Sequence, residues 1–207
     1  IPFAGIMLVA IIVPMVLTFF FRKAGLFTKT EDSTELQAEF AAQEEAEFAV
    51  HAEPTAQLVS PLAGQVKPLS QATDPVFSSG VMGQGVVIEP SQGELVSPVN
   101  GTVTVLFPTK HAVGIVSEEG VELLMHIGMD TVSLDGKGFE AHVAQGDKVV
   151  VGQQLISFDM DVIKKAGLVT ETPVIITNQD DFQADVEGDL PRDIKRGDAL
   201  MIAHRTK

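Results

Sequence analysis

The stretch TKHAVGIVSEEGVELLMHIG, residues 109–128, decides the fold. Two apolar runs flank SEEG, the pattern of a β-hairpin. Along the second run, Val121, Leu123, Met125 and Ile127 fall on one face, because strand side chains alternate. Glu122 and His126 fall on the other, with Gly128 and Asp130 beyond. The apolar set therefore faces a core and His126 faces outward. With the turn centred on Glu118 and Glu119, Ser117 opposes Gly120 and Val116 opposes Val121. Counting outward, His111 opposes His126, and the two imidazoles share a face about 5 Å apart at Cβ. A loop of odd length would shift this register by one and put the rings on opposite faces.

Outward from the hairpin, the chain from Leu58 onward consists of short Val- and Ile-rich runs cut by Gly, Pro, Asn and Asp. This is an all-β texture. LVSPLAGQV at 58–66 returns as LVSPVNGTV at 95–103, and GQQLISF at 152–158 returns faintly as GDALMIA at 197–203. The two spacings differ and the copies are few, which excludes a solenoid. The expected fold is an antiparallel β-sandwich or barrel-sandwich hybrid built on a duplicated motif.

Upstream, residues 1–21 (IPFAGIMLVAIIVPMVLTFFF) carry no charge. As a helix rising about 1.5 Å per residue they span roughly 30 Å, a bilayer core. Arg22 and Lys23 follow, so the positive-inside rule puts everything downstream in the cytoplasm. Pro2, Gly5 and Pro14 suit a helix packed among others, the first sign that residues 1–23 belong to a larger membrane domain and that the chain is a piece of a longer protein. Residues 30–66 lack Lys and Arg and are rich in Glu, giving residues 24–56 the character of an acidic, self-repelling linker.

The net charge of −14 provides no basic stripe and argues against nucleic acid as a partner. With no cysteine in the chain, disulfides, thiolate metal sites and cysteine nucleophiles are excluded. Two neighbouring imidazoles can instead share a proton, a metal ion or a phosphoryl group.

From about Gln57 to its end the chain resembles the glucose-type IIA domain of the phosphoenolpyruvate-dependent sugar phosphotransferase system. SPLAGQV, DPVFSSGVMGQGVVIEP, SPVNGTV, the long block from FPTKHAVGI through ELLMHIGMDTV, and GDKVVVGQQLISFD carry the resemblance, in order. It implies a β-sandwich phosphocarrier at 57–207, with His126 phosphorylated and His111 bonding the phosphoryl group. It further implies that Thr109 orients His111, that Asp74 and Asp130 flank the site, and that Val76, Phe77, Val81, Met82, Phe107, Leu124 and Val132 form an apolar docking patch. No cofactor is implied, although two imidazoles can take up zinc incidentally.

The implied partners are HPr as donor and a cysteine of a IIB domain as acceptor, a residue this chain lacks. The first helix resembles the last helix of a IIC domain in fused sucrose, β-glucoside or trehalose permeases, which implies a cell-membrane protein with its IIA domain in the cytoplasm. The nearest alternative is a sugar-cation symporter regulated through the same histidine. A zinc hydrolase using His111, His126 and Asp130 lacks the His-x-His signature of its class. A biotinyl or lipoyl carrier, suggested by GDKVVVGQQL, lacks a lysine in the required turn.

Overall fold

The computed structural model describes residues 55–206. The expected membrane helix at 1–23 and nearly all of the linker lie outside the described residues, and strand β1 already begins at Thr55. Among the described residues no helix is long and apolar enough to cross a membrane.

The two echoing segments make equivalent turns. In the first, β1 (Thr55–Val59) leads through Ser60 and Pro61 into β2 (Gly64–Pro68); β3 (Gln84–Pro90) follows. In the second, β4 (Glu94–Val96) leads through Ser97 and Pro98 into β5 (Gly101–Leu106). Both serines are fully buried, and each hydroxyl donates to the carbonyl two residues on, Ser60 to Leu62 and Ser97 to Val99, at 2.7 Å each. A buried hydroxyl needs such a partner, which is why the motif tolerates serine there. The turns also bond each other reciprocally: Val59 N donates to Pro98 O at 3.1 Å and Val96 N donates to Pro61 O at 3.0 Å. The fainter echo belongs to the same symmetry. Gly197 N donates to Ser60 O and Gly152 N to Ser97 O, leading into β14 (Ala199–Arg205) beside β1 and β10 (Gln154–Phe158) beside β4. The duplication read from the sequence is a duplication of structure.

The remaining strands are β6 (Ala112–Ser117), β7 (Glu122–His126), β8 (Phe139–Ala141), β9 (Lys148–Val149), β11 (Thr172–Ile176), β12 (Phe182–Val186) and β13 (Arg192–Ile194). An eight-stranded sheet runs β13-β2-β3-β11-β7-β6-β5-β9, and two three-stranded sheets run β1-β14-β12 and β4-β10-β8. Neighbouring strands are antiparallel throughout. The only α-helices among the described residues are α1 (Pro75–Ser78) and α2 (Met160–Lys165). The expected all-β antiparallel class is observed.

Alternation sorts each central strand between two apolar clusters. Val86, Ile88, Leu123, Met125, Val174 and Ile176 face the main core with Leu58, Leu95 and Leu155. Val87 and Ile175 face the other way and meet Leu69, Ala72, Phe77 and Met129, with half-buried Leu124 against them. Burying Phe77 in this second cluster is worth about 2–3 kcal/mol and fixes α1 over the outer face of β7 and β11. That outer face carries His126.

The hairpin departs from the expected register. Ala112, not His111, opposes His126, and Val116 opposes Glu122. Ser117 N donates to Val121 O at 2.9 Å, which leaves a three-residue loop, Glu118 to Gly120. Gly120 takes φ 93°, the left-handed residue that closes such a loop. The odd length shifts the pairing by one. The inward and outward sets on β7 are nonetheless those expected: Val121, Leu123, Met125 and Ile127 are buried and Glu122 is exposed.

Candidate functional site

His126 is the last residue of β7, on the outer face of the sheet and half-buried. Its Nδ1 lies 2.7 Å from the carbonyl oxygen of Gly128. A carbonyl only accepts, so the proton is on Nδ1 and the lone pair is on Nε2. Gly128 makes this possible at φ 70°, turning the chain back beneath the ring. The turn is braced where Thr131 Oγ1 donates to Ile127 O at 2.6 Å and Met129 N donates to Val169 O at 3.1 Å. A Cβ at position 128 would lie 2.6 Å from Thr131 Cγ2 and 2.8 Å from Val169 O, so the position is closed to larger residues. Gly128 is a site residue that the expectations above missed. The signal was a glycine two positions after a strand-terminal histidine, where a carbonyl can curl back on the ring.

His111 reaches the site by a different route from the one its sequence position suggests. Phe107 N donates to Ala112 O at 3.1 Å, so residues 108–111 form the loop between β5 and β6, with Lys110 left-handed at φ 58°. His111 is the last residue of that loop, and its direction is set by the turn rather than by the pleat. The register shift therefore does not separate the rings. They stand edge to face with centroids 4.8 Å apart at an interplanar angle of 78°. Thr109 Oγ1 lies 2.5 Å from His111 Nδ1. Phe107 borders His111 at 5.4 Å and Phe77 borders His126 at 5.3 Å, so four rings run in a row.

Burial holds His111 down to about pKa 4, with the neighbouring His126 adding to the effect. Burial also lowers His126 below 6.5, opposed by the Gly128 carbonyl and by the charges of Asp74 and Asp130. Both rings are neutral at pH 7. Asp74 caps α1, its Oδ1 accepting from Val76 N at 2.7 Å. Asp130 is left-handed at φ 58° and starts the 3₁₀ turn Thr131–Leu134. The two carboxylates are thus placed by turn geometry while their fields act on His126.

These shifts predict how stability depends on pH. In the unfolded chain His111 titrates near 6.5 and binds a proton that the folded site refuses until pH falls to about 4. Its contribution is complete above pH 6.5 and is lost progressively between 6.5 and about 4. His126 acts with the same sign. Denaturant unfolding between pH 7 and 5 is expected to show stability falling with pH, with a shallower fall in His111→Gln. Equal slopes in the two proteins would contradict this assignment.

Of the expected docking residues, Val76, Val81, Met82, Phe107 and Val132 are exposed, with Val81 at 72%. Leu124 is half-buried. Phe77 is not a surface residue; it is 8% exposed and supports the patch from below while touching His126. Among the described residues no group of three or more His, Asp or Glu is arranged to hold a metal ion.

Residues 56–182 match the family described as phosphoenolpyruvate-dependent sugar phosphotransferase system, EIIA 1. The chain is similar to the beta-glucoside-specific EIIBCA component of the PTS system of Bacillus subtilis, 57% identical over 123 residues, 59% of this chain and 20% of that protein. It is similar to the glucose-specific EIICBA component of Streptococcus pneumoniae, 53% identical over 126 residues, 61% of this chain and 17% of that one. The glucose-specific EIIA component of Bacillus cereus is 49% identical over 123 residues, 59% of this chain and 74% of its own length. The aligned part thus spans about a fifth of the two fused relatives. Among solved structures, glucose permease IIA from Mycoplasma capricolum superposes with a TM-score of 0.65 at 38% identity, covering 72% of this chain and 95% of that one.

Proposed function

Because this chain belongs to the EIIA 1 family of the phosphoenolpyruvate-dependent sugar phosphotransferase system, whose members are phosphoryl carriers for sugar uptake, we propose that Nε2 of His126 is its phosphoryl acceptor. The observation that carries the assignment is the bond from His126 Nδ1 to the Gly128 carbonyl at 2.7 Å, which leaves Nε2 unprotonated.

Phosphoryl transfer asks for an in-line nucleophile and for donors that meet the charge on the transferring oxygens. The Nε2 lone pair of neutral His126 attacks phosphorus, and the bond from phosphorus to the donor's nitrogen breaks with its electron pair leaving on that nitrogen. The proton on Nδ1 stays against Gly128 O. With the Thr109 hydroxyl donating into His111 Nδ1, the His111 proton sits on Nε2, free to donate to a phosphoryl oxygen on His126, whose ring centroid is 4.8 Å from that of His111. A bound phosphoryl group brings close to two negative charges, which draws positive charge onto His111 that the empty site rejects.

The donor we propose is phospho-HPr, docking on the exposed Val76, Val81, Met82, Phe107 and Val132 around the two rings. The acceptor is a cysteine of a IIB domain. The EIIBCA name of the Bacillus subtilis relative supports reading residues 1–23 as a membrane helix of a IIC-type domain, 24–56 as a linker and 57–207 as the IIA domain. In this arrangement the domain works on the cytoplasmic side of the cell membrane. The test is to incubate the chain with labelled phosphoenolpyruvate, enzyme I and HPr. Acid-labile label on protein supports the carrier reading, and a folded chain that takes no label refutes it.

A further inference from the structure

Glu171 lies just before β11, 98 residues along the chain from Thr73, and is 7% exposed. Its Oε2 accepts from both Thr73 N at 2.9 Å and Thr73 Oγ1 at 2.6 Å, and its Oε1 faces Lys67 Nζ at 3.6 Å. Burial alone would raise this carboxyl, but the two Thr73 bonds and Lys67 outweigh it and hold the group below its usual range. It is ionised at neutral pH, and charge-assisted bonds of this kind are the stronger ones.

Thr73 immediately precedes Asp74. The segment it begins delivers three things to His126: the Asp74 carboxylate, the Phe77 ring at 5.3 Å, and the exposed Val76 and Val81 of the docking patch. The far end of the attachment is equally direct, because β11 pairs with β7, Val174 opposite Met125 next to the histidine. Thr73 itself is exposed, between Ala72 and Phe77, which are buried in the second apolar cluster; the Glu171 bonds fix the residue that leads from one to the other.

We propose that Glu171 is a positioning residue for phosphoryl transfer: a buried carboxylate that ties the Thr73–Val81 segment to the strand beside the nucleophile's own. This rests on the assignment of His126 as acceptor. What the site requires of Glu171 is its two accepted bonds. Glutamine keeps an acceptor oxygen in the same place, and alanine does not.

The test compares Glu171→Ala, Glu171→Gln and Lys67→Ala with wild type for KM and kcat in phosphoryl transfer from phospho-HPr. NOEs between the Phe77 and His126 rings are recorded on each folded protein. Glu171→Ala is expected to raise KM about tenfold to a hundredfold and to lose the NOE. Glu171→Gln and Lys67→Ala should stay within about twofold of wild type. If Glu171→Ala does not fold, Thr73→Val, which removes one of the two bonds, is expected to shift KM the same way to a smaller extent. Unchanged KM and ring contact in Glu171→Ala, or in Thr73→Val where that variant stands in, would overturn the inference and leave the carrier reading standing. So would a Glu171→Gln as impaired as the alanine variant. A wild-type chain that takes no phosphoryl group would remove the carrier reading, and the inference with it.

Discussion

Replacing His126 by glutamine is expected to leave a folded domain that takes no acid-labile phosphoryl label from phospho-HPr. Glutamine has similar bulk, and its amide can donate to the Gly128 carbonyl as Nδ1 does, so the turn at residues 127–131 keeps its anchor. The ring is half-buried at the end of β7 and adds little to the main core, whose contribution from this strand is Leu123 and Met125. What is lost is the lone pair on Nε2. The neighbouring His111 is not placed to replace it, being 5% exposed with its Nδ1 occupied by Thr109. Label should therefore fall to background while the unfolding midpoint moves by at most a few degrees. Retained label on this variant would show that the acceptor is elsewhere.

The second large effect is expected at His111. His111→Ala should still accept label, because the nucleophile is intact, yet both acceptance and onward transfer to a IIB domain should slow by about 10²- to 10³-fold. That is the usual cost of removing one preorganised donor to a developing oxyanion. Since His111 is buried against Phe107, alanine also leaves a void, and a few kcal/mol of stability should go with it. Glutamine at 111 separates the two losses. It fills the space and offers an amide proton, so it should restore most of the stability and part of the rate. If His111→Ala transferred at the wild-type rate while remaining folded, the second ring would have no part in the chemistry.

The contrast between these residues shows what local pattern can reveal. The faces of β7 were legible because alternation is a property of the strand alone, and the Ser-Pro echo was legible because each copy builds the same buried turn. The hairpin register was not. SEEG closes as a three-residue loop on Gly120, a choice that shifts every pair by one and is made by a single left-handed glycine. His111 and His126 still meet, for a reason outside strand logic: His111 occupies a loop whose turn at Lys110 redirects it. Phe77, expected as part of the docking patch, lies in the second apolar cluster beneath it, because the short helix carrying it lies on the sheet. The Thr73 to Glu171 contact joins positions 98 residues apart and left no periodic trace in the chain.

The carrier account depends most on which nitrogen becomes phosphorylated. The direct measurement is ¹H–¹⁵N long-range correlation on the ¹⁵N-labelled chain after phosphorylation by phosphoenolpyruvate, enzyme I and HPr, with ³¹P coupling assigning the bonded nitrogen. The account predicts a phosphoryl group on Nε2 of His126, with Nδ1 still protonated against Gly128 O. A phosphoryl group on Nδ1 of His126, or on either nitrogen of His111, would contradict it.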